Sequence, residues 1–327
     1  MSVSIAGYFG SSHGYSLSAT MSWPYVYMGL QDPEQHISKF DISSGTPVEV
    51  ASSGTMTHQP EALWLDGAGT LFADGCDGSN TVKKYTTALT FIASGLTGGG
   101  GSYSNLLYNG GHLHRIRTDC NVEAFTTGLT SVATLTLTTG DAAFSLSECL
   151  GHVVISGYHR NMFEPTVSVY SYTSGTYSLI TRATAASAHA YLQHVSEGPY
   201  IFTSMIDAYH YDKAAGVLTL VASVRPTSWA TGVYGAGLAK YGDCLYVNES
   251  QSPIGGENKM EVFKWSGGSL SLLGDLDYND EYCWEMEKDD AVNYLVSCNY
   301  DPTDGYPGVL LKTDKWSQPY VIVNMTR

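Results

Sequence analysis

A six-residue phrase with a large apolar or aromatic residue at its fifth position recurs along the whole chain. It reads HISKFD at 36–41, TVKKYT at 81–86, NVEAFT at 121–126, TVSVYS at 166–171, DAYHYD at 207–212, KMEVFK at 259–264 and, degenerate, PGVLLK at 307–312. The marked residues are Phe40, Tyr85, Phe125, Tyr170, Tyr211, Phe263 and Leu311, about 45 residues apart, a period in the range of propeller blades. Each phrase continues through a short turn into an apolar run such as TPVEVASS or ALTFIASG. Each is preceded by a strand such as PYVYMG or PYIFTSM, and that strand by another short one. Four strands per unit and seven units predict an all-β chain, a seven-bladed β-propeller of four-stranded antiparallel blades. The units run approximately over 14–53, 58–94, 103–137, 143–183, 188–224, 234–276 and 281–326 of a single domain, 1–327. The seventh unit supplies its own outer strand, VIVNM, so SVSIAGYF at 2–9 is expected either to add a further outer strand or to cap the rim.

Composition agrees with strands and turns. Among 327 residues there are 35 Gly and 24 Tyr, aromatics reach 12% and charged residues only 14%. A formal net charge of −15 repels phosphate backbones and anionic lipid, so nucleic acid and membrane insertion are not expected. MSVSIAGYFGSSHGYS has neither the basic start nor the apolar core of a signal peptide, which points to cytoplasmic synthesis. The six cysteines are scattered without a CxxC pair and read as buried thiols with no more than one disulfide. Without a secretory signal, the sequons at Asn248 and Asn324 read as chance.

Several phrases resemble the lactonase-type seven-bladed propellers, the family of 6-phosphogluconolactonase and the muconate-lactonizing enzymes. They are PYVYMG with ISKFDISSGTPVEVASS, ALWLDGAGTLFADG, AHAY with GVLTLVASV, and GDCLYVNES. The resemblance implies a His at an inner-strand entry and a Glu closing a YVNE strand, which map to His189 and Glu249 as catalytic candidates. An arginine such as Arg160 or Arg225 would meet an anionic lactone or carboxylate. The cation expected at the entry to the sixth unit is replaced by VYGAG at 233–237.

In a propeller, the inner-strand entries converge on one funnel. Superposing them brings His13, His58 and His189 into one register, and with Tyr103, Tyr234, Glu281 and Tyr282 they form the expected ligand-binding ring. No metal or other cofactor is expected there, since sequence spacing alone does not bring ligands within coordination distance. His112 and His114 in GHLHRIRTD share one strand face and Arg115 and Arg117 the other, which reads as a polar rim strand. DGCDGSN at 74–80 reads as a hairpin turn, because a calcium loop's spacing and closing Glu are missing. The acidic run at 275–290 reads as a solvated rim.

Two functions are compatible with this reading. The first is a non-enzymatic binding or assembly module meeting a protein or carbohydrate partner through Tyr-rich loop faces, which would also suit a virion- or tail-associated component. The alternative is a lactonase-like hydrolase with His189 as general base and Glu249 as its orienting group or acid.

Overall fold

In the computed structural model the described residues are 3–313, apart from 11–15, 32–34, 59, 76–80, 99–104, 139–140, 160–163, 185–192, 226–232, 252–258, 278–281, 289–293 and 301–307. They form seven four-stranded sheets, every neighbouring pair antiparallel. Sheets 1 to 6 are consecutive in sequence. Their inner strands are Ser16–Ser22, Ala62–Leu65, Leu107–Asn109, Asp141–Cys149, His194–Glu197 and Val233–Tyr241. Sheet 7 has Tyr282–Lys288 innermost, then Tyr294–Tyr300 and Gly308–Thr313, and its outer strand is Val3–Phe9 from the opposite terminus. The segment expected in that place, VIVNM at 321–325, lies outside the described residues.

These strands pack by burying both faces. Tyr25–Leu30 in sheet 1 and Thr70–Asp74 in sheet 2 are apolar almost throughout, as strands covered on both sides must be. The outermost strands alternate instead, as in Phe91–Gly95 and Ser131–Leu135, because only one side faces a neighbour. Seven apolar clusters result, each shared by two adjacent sheets. Phe202 and Ile206 of sheet 5 pack with Leu238 and Leu245 of sheet 6, for example, and Phe9 and Val296 of sheet 7 pack with Val26 and Phe40 of sheet 1.

The recurring residue of the phrase marks a backbone irregularity. Phe40 pairs with Glu49 while Lys39 pairs with Ala51, so Val50 is an unpaired extra residue in the outer strand, a β-bulge. The same step leaves out Ile92 opposite Tyr85, Val132 opposite Phe125, Ile180 opposite Tyr170 and Leu273 opposite Phe263. In sheet 7 it leaves out Ala6 opposite Leu311, so the strand from the other terminus carries the bulge at the same register. Sheet 5 corrects one expectation. Its bulge, at Val221, stands opposite Tyr209, and it is Tyr209 that pairs with Ile201 as Phe40 pairs with Val26. Tyr211 lies two residues further on and is not equivalent to the other aromatics.

Turns tie one sheet to the next. TTALT at 86–90 and TTGLT at 126–130 turn the third strand into the outer one with Leu89 and Leu129 at positive φ, 60° and 64°. In each, the first Thr hydroxyl accepts a backbone N–H four residues on, from Thr90 and Thr130. The Nζ of Lys39 then donates to the Thr87 carbonyl at 3.1 Å and that of Lys84 to the Thr127 carbonyl at 2.8 Å. A lysine just before the marked aromatic thus caps the next sheet's turn.

Cys120, Cys149, Cys244 and Cys298 are thiols rather than half-cystines. Cys76 lies outside the described residues and Cys283 is described by its backbone alone.

A second irregularity puts close contact where the inner strand of sheet 4 meets its partner. Ala143 pairs with Gly157 and Ser145 with Ser156, leaving Phe144 extra, and a Cβ on Gly157 would stand 1.8 Å from the Ala142 carbonyl oxygen. Gly157→Ala is expected to destabilise the protein by about 2 kcal/mol or more, a backbone clash being among the severe single-residue effects. Gly54→Ala, where a Cβ meets nothing within 4 Å, is expected to stay within about 0.5 kcal/mol of the parent. Urea unfolding of both variants reads the difference.

Candidate functional site

The inner strands all begin at one end of the sheets, the end at which the expected funnel would be formed. Of its proposed members, His13, Tyr103, His189 and Glu281 lie outside the described residues. Tyr234 stands at the start of the inner strand of sheet 6, opposite Ser250, and Tyr282 at the start of that of sheet 7, opposite Tyr300. Glu249 is in the second strand of sheet 6, opposite Gly235. These three share an end by register, while their side chains are outside the described set. His58 is exposed and precedes the inner strand of sheet 2 by several residues, with buried Pro60 and half-buried Glu61 between. In sheet 5 the inner strand begins at His194, five residues beyond His189.

His194 is a buried histidine that the register argument missed. Its Nδ1 is hydrogen-bonded to the Ser156 hydroxyl of sheet 4 at 2.7 Å, and its backbone N–H points to Ser145 Oγ at 3.4 Å. Burial pushes the imidazole down to about 3, with the Val154 carbonyl opposing the shift. It therefore stays neutral as a bridge between two sheets. Nearby junctions are polar as well. Ser18 Oγ donates to the Pro60 carbonyl at 2.8 Å, Asn105 exchanges two hydrogen bonds with the backbone of Leu146, and Asn248 Nδ2 donates to Ser297 Oγ at 3.2 Å.

The most charged of these junctions joins sheets 2 and 3. Arg115, expected on a rim strand, is fully buried. Its Nε donates to Glu123 Oε2 at 2.8 Å, Nη1 to Asp74 Oδ1 at 3.1 Å and Nη2 to the Thr97 carbonyl at 2.9 Å. The second strand of a sheet is covered on both faces, and a guanidinium survives there only with carboxylates beside it, here Glu123 from the adjacent strand of its own sheet and Asp74 from sheet 2. Arg117, beyond the strand, stays partly exposed beside Asp119 at 3.4 Å. Glu61 completes the group. Its N–H donates to the Asp74 carbonyl, and Gly75, at φ +83°, leaves room for its side chain, since a Cβ there would stand 3.1 Å from Glu61 Cγ. Burial, and then the charge of Asp74, raise the Glu61 carboxyl to about 7.

The two histidines of the same strand keep the shared face that alternation predicts, yet that face is an interior one. His114 hydrogen-bonds Tyr177 of sheet 4 through Nδ1 at 2.5 Å and the Asn109 carbonyl through Nε2 at 3.0 Å. His112 Nδ1 meets the Tyr172 hydroxyl at 3.2 Å. Burial holds His114 down to about 4. With both ring nitrogens engaged, His114 acts as a junction rather than a ligand. Among the described residues no group of three or more His, Cys, Asp or Glu side chains could hold a metal ion.

Arg225, a candidate partner for an anionic substrate, is also committed. One Nη lies 3.0 Å from Asp207 Oδ1, and the other donates to the Met205 and Val224 carbonyls. Arg160 lies outside the described residues.

No family model and no curated protein matches the chain. Solved structures do. The β-propeller domain of Cps50 (Swd1) from Myceliophteria thermophila superposes with a TM-score of 0.71 at 10% identity, covering 95% of this chain and 100% of that one. A protein from Lactobacillus plantarum gives 0.66 at 14% identity over 82% of this chain and 86% of that one. The computationally designed protein Ika8 gives 0.61 at 12% identity over 94% and 99%. At such identities the likeness shows the fold alone, an all-β propeller with four-stranded antiparallel blades.

Two expected outcomes follow from the buried charges. Arg115→Met leaves Asp74 and Glu123 buried without their cation and is expected to cost about 3–5 kcal/mol, read by chemical denaturation. The folded state holds the Glu61 proton more tightly than the unfolded chain does, so stability falls as pH rises from the ordinary carboxyl range through about 7. Glu61→Gln is expected to remove that loss, on the order of 2 kcal/mol between pH 5 and 8. The depressed His114 and His194 act oppositely: their contribution is present above the ordinary imidazole value and fades as pH falls from there toward 4 and then 3. Acid titration of a His194→Gln variant, followed by unfolding midpoint, should show the reduced sensitivity below pH 6.

Proposed function

We propose that the seven sheets are the blades of one closed ring and that this ring is a non-enzymatic binding or assembly module. The observation carrying it is how the surface is divided. Arg115, His114, His194 and Arg225 are all spent on bonds that hold sheets together or fix loops. The exposed large apolar side chains among the described residues lie in the hairpin turns between inner and second strands, as Trp23 and Leu150 do, beside such a turn, as Tyr108 does in the inner strand of sheet 3, or on an outer strand, as Phe91 and Leu179 do. The hairpin turns and the turns into the outer strands share one end of the ring, the end opposite the expected funnel. Exposed rings on a rigid rim give contact area at little cost in conformational entropy, which suits a macromolecular partner.

The lactonase-like alternative would need a guanidinium beside His189 and Glu249, and Arg225 is held by Asp207 instead. A particle-associated setting remains compatible with the module reading and rests on composition alone.

Photo-crosslinking from p-benzoylphenylalanine placed at position 23 or 108 in the source cell is expected to give discrete adducts, and from position 58 none. Adducts from 58 alone, or none from 23 and 108, would overturn the reading. So would turnover of a phosphorylated or carboxylated lactone, 6-phosphoglucono-δ-lactone first, that His189→Ala or Glu249→Ala abolishes.

A further inference from the structure

Tyr108 is 46% exposed, and its ring lies nearly parallel to that of Trp64, with 5.4 Å between centroids and 15° between planes. Trp64 in turn packs on Phe72, its partner across the hairpin, at 5.5 Å. Lys84 Nζ closes the far end of this ladder, 5.3 Å over the Phe72 ring, and is itself anchored on the Thr127 carbonyl. One face of Tyr108 is taken by Trp64, so the exposure falls on its outward face and edge. Trp64 belongs to sheet 2 and Tyr108 to sheet 3, which fixes the outward ring from two sheets at once. The same end of the ring carries a second parallel pair. Trp23, 41% exposed in the first hairpin turn of sheet 1, stacks at 5.9 Å and 7° on Tyr294 of sheet 7.

We infer that the Trp64–Tyr108 and Trp23–Tyr294 pairs are two platforms for the sugar rings of one neutral carbohydrate chain, a ligand class that rests on the binding reading above. An outward, braced aromatic face can take a nucleobase, a cation or the C–H face of a pyranose. A polynucleotide is repelled by a protein of net charge −15. A small cation, which a net charge of −15 attracts, occupies one ring and gains nothing from a second platform on other sheets. A chain of uncharged rings meets no opposing charge and uses both platforms. The two platforms are separated by the width of sheets 1 and 2, so a single sugar reaches one of them and an oligomer is needed for both.

The test screens the full-length protein against an array of neutral glycans of graded length, built from glucose, mannose, galactose and N-acetylglucosamine, and follows the best binder by calorimetry. Tyr108→Ala and Tyr108→Leu, the second keeping apolar volume without a π face, are expected to weaken binding about tenfold, a difference calorimetry resolves easily. Tyr108→Phe is expected to bind as the parent does, and circular dichroism should show all three folded. Trp23→Ala is expected to weaken a hexasaccharide and leave a disaccharide unaffected. If no neutral glycan binds, or if the Ala and Leu variants bind like the parent, the inference fails. Crosslinks from positions 23 and 108 to a protein without glycan binding would overturn this inference and leave the module reading standing. Absence of both would remove the module reading as well.

Discussion

The architecture depends on one pairing, that of Val3–Phe9 with Gly308–Thr313. Each sheet has two apolar faces and no core of its own, so it is stable only between two neighbours, and a row of such sheets always leaves two faces bare. Joining the ends removes both. The strand from one terminus completes the sheet from the other, and Phe9 then enters the cluster between sheets 7 and 1, edge to face with Phe40 at 5.0 Å. The two faces that would otherwise be bare thus share one apolar cluster.

Between the sheets, the two ends of each junction are built differently. Where the inner strands begin, the contacts are hydroxyls, amides and the Arg115 carboxylate group. Toward the hairpin turns rings join the lysine-to-turn bonds of Lys39 and Lys84: Trp23 on Tyr294, Trp64 on Tyr108, His114 against Tyr172, His152 bonded to Tyr211, and Trp265 on Tyr200. The apolar clusters lie between these two layers.

Much of the sheet pattern was legible in the chain because the marked aromatic sits opposite a backbone irregularity repeated in every sheet, which spacing alone reveals. The errors have specific causes. DAYHYD holds Tyr209 and Tyr211 two residues apart on the same strand face, and only the pairing with Ile201 shows which of them stands at the bulge. HLHRI looked like a rim strand because the carboxylate that neutralises Arg115 from sheet 2 is 41 residues away in sequence. His194 carries no comparable signal in the sequence, because an inner-strand start is set by pairing, here His194 with Thr203, and leaves little local signature. Two segments, SVSIAGYF and VIVNM, both had the composition of an outer strand, and the bulge at Ala6 gives the first of them the geometry shared by the other six sheets.

The repeated bulge also bears on how the protein behaves in a crowded solution. Every outer strand presents a line of backbone donors and acceptors next to aliphatic side chains such as Val50, Ile92 and Val221, the combination that recruits further strands and seeds fibres. One unpaired residue per strand breaks the even ladder a foreign strand would need to dock along. Each four-stranded sheet is thereby guarded at its apolar outer edge against a fifth strand from a neighbouring molecule.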